Sequence, residues 1–285
     1  MIPININLRG LLLLLSIISV LGSGQTFAAS SFNGCYDVPG LTAPQPATNK
    51  ALYVLIDQTM TLTTSMKQAI VDLVSQWGKH GERVAISRFS ANIKGQYTEL
   101  MFDGTGTIKP DEAYLYQLRR KDKKALLECL DKHKNDFHDA MVKALNNTLK
   151  LSDSKLPKTN ILQSLNNLAT QLVANDSIRD KTVLLISDGL ENSDVFSFHY
   201  RHKIKLINPK MMLDVVRHKQ LIANWHGAKI YMLGLGFIND KSFYARPKII
   251  EPLKKFWVNY FTEGNGTIEA NSIGTPMLLT KSILP

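Results

Sequence analysis

Residues 51–61 read Ala51-Leu52-Tyr53-Val54-Leu55-Ile56-Asp57-Gln58-Thr59-Met60-Thr61. The first part of this stretch, Ala51 to Ile56, is apolar or aromatic throughout and shows no alternation, which predicts a short strand buried on both faces. Such strands belong to parallel sheets covered by helices on either side. Working outward, Met66, Ala69, Ile70, Leu73, Val74 and Trp77 recur at helical spacing and stop at Gly78 and Gly81. Val84 to Phe89 reads as the next strand. A further short strand is expected around Tyr97 to Phe102, ahead of Asp103, Gly104 and Gly106, which read as turn material.

Residues 111–156 interrupt this rhythm with a long charged helical stretch whose apolar face is Phe137, Ala140, Met141, Ala144 and Leu145, read as a helical insertion packed on the main body. The alternation then resumes. Ile161, Leu162, Leu165, Leu168, Ala169 and Leu172 lie on a helix, Thr182 to Ser187 on a strand, and Met212, Val215, Val216, Ile222 and Ala223 on a helix. Ile230 to Leu235 forms a strand, and Leu253, Phe256, Trp257 and Tyr260 lie on a last helix. The order implies an α/β fold: a doubly wound, mostly parallel sheet flanked by helices, occupying residues 51–285. In such sheets ligands sit beyond the carboxyl ends of the strands, so the residues after Ile56 and Ser187 are where chemistry is sought.

The amino-terminal region has a different character. Arg9 precedes the run Leu11 to Leu21, about a dozen apolar or small residues that as a helix would span roughly 17 Å, short of a bilayer core. Small and polar residues follow, up to Phe27-Ala28-Ala29. This predicts a signal peptide over 1–28, hence export to the periplasm or medium, and then an extended leader over 29–50 carrying Gly34, Gly40, Pro44 and Pro46. The whole chain of 285 residues carries 34 Lys and Arg against 24 Asp and Glu, a net charge of +10, which favours acidic partners without naming one. Its composition, 44% apolar and 20% charged, excludes a disordered tail or a disulfide-packed miniprotein. The cysteines, Cys35 and Cys129, have one intramolecular pairing available, and an oxidising compartment favours that disulfide over a buried thiol at Cys129.

Asp57, Thr59 and Thr61 place one carboxylate and two hydroxyls on the turn after the first strand. Thr159-Asn160 adds oxygens just before a helix, and Asp188-Gly189 adds a carboxylate just after a strand. Five side-chain oxygen groups from three loops suit a hard divalent cation, Mg2+ or Mn2+. In this order, with these flanking elements, the segments resemble the von Willebrand factor A domain and its metal-ion-dependent adhesion site. The family's Asp-x-Ser-x-Ser pattern maps onto Asp57, Thr59 and Thr61, its mid-domain threonine onto Thr159, and its later aspartate onto Asp188. The resemblance implies a domain that binds a protein ligand, whose Asp or Glu completes the shell of the metal, and that turns over no substrate. The chain departs from the family in having threonine at both serine positions and Pro157-Lys158 before Thr159, where the lysine would oppose a cation; Glu191 and Asp194 stand near enough in sequence to offset it. The competing reading of the same residues is structural, with Thr59 and Thr61 capping the following helix and the two aspartates accepting backbone hydrogen bonds.

Two other functions fit parts of the chain. The runs Arg119 to Lys124 and Arg201 to Lys205 supply the excess charge, and a basic exported protein with a vestigial metal site could bind a polyanion through them; aromatic residues among them are too few for nucleic acid. Val54 to Asp57 also resembles the nucleophile strand of haloacid-dehalogenase-like phosphatases, but that family needs a second aspartate where Thr59 stands. The pairs His199 and His202, and His133 and His138, match no paired zinc motif and read as surface histidines.

Overall fold

The computed structural model describes residues 30–31, 34–36, 49–90, 98–151, 159–200, 203–238 and 243–274. The expected signal peptide, most of the leader, Pro157-Lys158 and Arg201-His202 lie outside them. In chain order the elements are β1 (Ser30–Ser31), a 3-10 turn at Gly34–Tyr36, β2 (Lys50–Asp57), α1 (Thr64–Val74), β3 (Arg83–Phe89), β4 (Thr98–Thr105), α2 (Glu112–Gln117) and α3 (Arg120–Lys150). They continue with α4 (Ile161–Leu168), running on as a π-helical turn over Ala169–Val173, then β5 (Asp180–Ile186), β6 (His199–Tyr200), β7 (Lys203–Ile204), α5 (Pro209–His218) and β8 (Lys229–Leu233). The last are β9 (Phe237–Ile238), β10 (Phe243–Tyr244), α6 (Pro247–Glu263) and β11 (Ile273–Gly274). No helix among the described residues is long and apolar enough to cross a membrane.

Seven strands form one sheet in the order β1-β4-β3-β2-β5-β8-β11, while β6 with β7 and β9 with β10 make two small antiparallel ribbons. Strands β3, β2, β5, β8 and β11 run parallel, so the observed fold is the mostly parallel, helix-flanked α/β sheet implied by the sequence. The unbroken apolar run of β2 has a direct cause in its central position. Successive side chains of a strand point to opposite faces, and both faces are covered here. Ala51, Tyr53 and Leu55 pack with α4, α5 and α6, whereas Leu52, Val54 and Ile56 pack with α1 and α3. On the first side, Phe256, Trp257, Tyr260 and Phe261 of α6 form a contiguous aromatic cluster.

β4 departs from expectation. It runs antiparallel to β3, and it extends through Asp103 and Gly104, which read as turn residues. Two contacts explain why they remain in the strand. Arg83 of β3 grips Asp103 through one edge of its guanidinium, Nε and Nη2 donating at 2.8 and 2.6 Å. Gly104 leaves room for aromatic rings, since a Cβ there would sit 3.0 Å from Phe102 and 3.2 Å from Phe137.

The stretch read as an insertion is divided by the structure. The carboxyl half of α3 supplies Phe137, Met141, Leu145 and Leu149 to the same core as Leu52, Val54 and Ile56, so it belongs to the helical layer of the sheet. The amino half carries Leu126 and Leu130 into a separate small cluster with Leu115, Tyr36 and Cys35. There Cys35 and Cys129 form the expected disulfide, which ties the 3-10 turn to α3 across a separation of 94 residues.

Phe137 is 1% exposed, and its ring lies on the two glycines Gly78 and Gly104. Phe137→Ala should therefore cost about 3–5 kcal/mol of unfolding free energy. The exposed neighbour Lys134, changed to Ala, should shift it by no more than about 0.5 kcal/mol. Denaturant unfolding of both variants measures the difference, and equal small effects would show that α3 is not part of the main core.

Candidate functional site

β2 and β5 lie side by side and parallel, paired from Lys50 with Asp180 to Ile56 with Ile186. The chain leaving β2 passes to α1 on one face, and the chain leaving β5 reaches α5 on the other. Their carboxyl ends thus part in opposite directions, which in sheets of this kind is where ligands are received. Asp57 ends β2 there with no exposed surface.

Both oxygens of Asp57 are engaged. Oδ1 accepts the backbone N–H of Thr59 at 3.0 Å and its hydroxyl at 2.6 Å. Oδ2 accepts the hydroxyl of Ser187, the residue following β5, at 2.7 Å. Thr159 in turn donates its hydroxyl to Thr59 Oγ1 at 2.8 Å. A single line of hydrogen bonds therefore runs from Thr159 through Thr59 to Asp57 and on to Ser187, joining three segments separated by 100 and 130 residues in sequence. Each hydroxyl directs its proton along this line, and Ser187 Oγ also accepts the N–H of Gly189 at 3.0 Å.

The loop after β5 is held by its own contacts. Asp188 Oδ1 accepts from the N–H of Leu190 at 2.9 Å, and its backbone carbonyl accepts from Gly236 at 2.8 Å. Gly189 adopts a left-handed φ of +68°, and a Cβ there would come within 2.6 Å of Trp257 Nε1, the same nitrogen that donates to the Gly189 carbonyl at 3.0 Å. Thr159 and Asn192 exchange both backbone hydrogen bonds, at 3.1 and 2.9 Å, which zips the Thr159 segment to this loop.

Of the residues expected at the site, Asp57, Thr59 and Thr159 are joined directly, and Asp188 lies close enough for the charge of Asp57 to act on it. Thr61 is exposed on the rim. The helix cap anticipated for Thr59 or Thr61 is made by Thr63, whose hydroxyl accepts from Met66 N at 3.3 Å.

Two participants were not anticipated as part of the constellation. Ser187 is signalled in the sequence only as a lone hydroxyl closing the apolar run Val183 to Ile186. Glu191, expected only to offset the charge of Lys158, is fully buried, and its Oε2 accepts the N–H of Leu162 at 3.0 Å.

The electrostatics follow from this crowding. Burial pushes the Asp57 carboxyl up, against the opposing pull of the Thr59 and Ser187 hydrogen bonds. Asp188 is pushed up to about 8, by burial first and then by the charge of Asp57. Burial also raises Glu191, to about 7. Carboxyl and hydroxyl oxygens are the donor types that a hard cation takes. Among the described residues no three carboxylates bring oxygens within 4.8 Å of one another, so Thr59, Thr159 and water would have to supply much of the coordination.

No protein-family model matches the chain, and no curated protein matches its sequence. Solved structures to which the chain is similar include the PilB minor pilin from Streptococcus sanguinis, at 11% identity over 83% of this chain and 59% of that one, with a TM-score of 0.46. A pilus adhesin, SpaC from Lactobacillus rhamnosus GG, shares 13% identity over 75% of this chain and 27% of its own, with a TM-score of 0.37. The conserved hypothetical protein BatB from Bacteroides thetaiotaomicron shares 13% over 78% of this chain and 91% of its own, with a TM-score of 0.35. This chain thus spans little more than half of the pilin and about a quarter of the adhesin. Likeness at this level carries no activity across.

The raised carboxyls have a thermodynamic consequence with a definite sign. Between the ordinary carboxylate value and about 8, the folded protein retains on the neighbouring acids Asp57 and Asp188 a proton that the unfolded chain has released. The stability this contributes is complete at acidic pH and is lost as pH rises toward 8, with a limiting slope of about 1.4 kcal/mol per pH unit for one proton. In chelator, the denaturant midpoint should fall from pH 5 to pH 8.5, and Asp188→Asn should flatten the decline. A midpoint that climbs over that range contradicts the buried-acid picture.

Proposed function

We propose that this chain is an exported binding protein of the von Willebrand factor A type, which holds Mg2+ or Mn2+ at the carboxyl ends of β2 and β5 and captures a protein partner there. Thr59 and Thr159 would hold the ion through their hydroxyls, with Asp57 and Asp188 acting directly or through water. An Asp or Glu of the partner would complete the shell. The observation that carries this reading is the hydrogen-bonded line from Thr159 through Thr59 to Asp57 and Ser187, which gathers oxygens from three loops at one rim.

Binding without turnover is favoured by the state of Asp57. A carboxylate acting as a nucleophile must present a free oxygen to substrate. Here three internal hydrogen bonds hold the carboxyl in place and the residue has no exposed surface to present to a substrate. A second reading, attachment to a polyanion, is favoured by the outer end of α3, where the side chains of Arg119 and Lys124 are 88% and 78% exposed.

Titration of Mn2+ into the metal-free protein should show one saturable site. Thr159→Val, which keeps the shape and removes the hydroxyl, should weaken it by about tenfold or more with little change in melting temperature, and Asp57→Ala should abolish it. Partner capture should be lost in chelator. A flat titration at millimolar metal, with capture that ignores chelator and declines steeply with salt, would instead establish the polyanion reading.

A further inference from the structure

The small cluster at the amino end of α3 contains a second set of metal-ligating groups, unrelated to the rim. Cys129 and His133 lie one turn apart on the same face of α3, and the 3-10 turn brings Cys35 against them. The ligand atoms of Cys35, Cys129 and His133 all fall within 4.8 Å of one another, the one such group of three Asp, Glu, His or Cys among the described residues. His133, expected on the surface, is half-buried beside the disulfide.

The chemistry of this set is opposite to that of the rim. Two thiolates and an imidazole are a soft donor set, matched to Zn2+ or Cu+ and poorly matched to Mg2+. While the two sulfurs are bonded to each other they cannot serve as thiolates. We propose that reduction of the Cys35–Cys129 disulfide converts this staple into a three-ligand site for a thiophilic cation, Zn2+ or Cu+, with a further position left for water or an outside ligand.

The electrons balance with a dithiol as reductant. It transfers two electrons and two protons to the S–S bond and becomes a disulfide itself, leaving two thiols on the protein. Metal binding then displaces the thiol protons to solvent. The frame for the site does not depend on the S–S bond alone. Tyr36 donates its hydroxyl to the Ile108 carbonyl at 2.7 Å, and Cys35 and Tyr36 are buried against Leu115, Leu126 and Leu130. These contacts keep the turn bearing Cys35 on α3 after reduction.

Cobalt separates this site from the rim, because only sulfur ligands give the intense near-ultraviolet thiolate-to-Co2+ absorption. The protein, reduced with a water-soluble phosphine and freed of metal, should take up one equivalent of Co2+ with that absorption. Zn2+ should displace it, and excess Mg2+ should not. The signal should be absent from oxidised protein and from Cys129→Ser, and His133→Ala should weaken Co2+ binding by about tenfold or more. No thiolate absorption in the reduced protein, affinity unchanged by His133→Ala, or loss of the far-ultraviolet helical signal on reduction would each overturn the proposal. None of these outcomes bears on Mn2+ binding at the rim.

Discussion

The architecture depends on one unfavourable act, the placing of the Asp57 carboxyl at the end of the central strand with no exposed surface. An ionised group there would be prohibitively costly without compensation. The compensation comes from groups on other segments: the backbone and hydroxyl of Thr59 on one oxygen, the hydroxyl of Ser187 on the other, and Thr159 standing behind Thr59. The requirement runs in both directions. The carboxyl needs the hydroxyls to be tolerated, and the loops need the carboxyl to be drawn into register. The four hydrogen bonds between them tie the ends of β2 and β5 to the start of α4.

A second layer of the same logic surrounds it. Asp188 and Glu191 come from one loop, and that loop is fixed to the Thr159 segment by the paired backbone hydrogen bonds with Asn192 and to α6 by the Trp257 indole. Burial first, and the charge of Asp57 after it, opposes their ionisation, so the loop is most comfortable either protonated or beside a positive charge. The opposite end of the molecule solves a different problem. There a bidentate arginine pair between Arg83 and Asp103, with Asp176 and the Tyr53 hydroxyl close by, anchors the start of β3 to β4 and to the turn before β5.

The parts that the sequence makes legible are those with a local physical signature. Ala51 to Ile56 has no polar interruption because both of its faces are covered, and that alone points to a central parallel strand. The spacing of Asp57 and Thr59 survives because the hydrogen bonds between them are short-range in sequence. Thr61 shares that spacing but is exposed on the rim, because alternation along a turn does not fix direction. At Asp103 and Gly104 of β4, local turn propensity yields to pairing with Arg83 and to the volume of Phe137. Glu191 could not be placed, since its burial follows from a bridge between Thr159 and Asn192, and nothing local announces it. The nearness of His133 to Cys129 is readable as a four-residue helical interval, but it acquires meaning only when Cys35 is brought to the same spot by the fold.

The two outermost members of the sheet, β1 and β11, are each only two residues long among the described residues. β1 covers the end of β4 with Ser30 and Ser31 against Gly104 and Thr105, and β11 covers the end of β8. A long, flat margin would offer a row of unpaired amides to any passing strand. Ser30 and Ser31 close only the Gly104–Thr105 end of β4, and Ile273 and Gly274 only the Met232–Leu233 end of β8, so at those two ends the pairing is already taken by the chain itself.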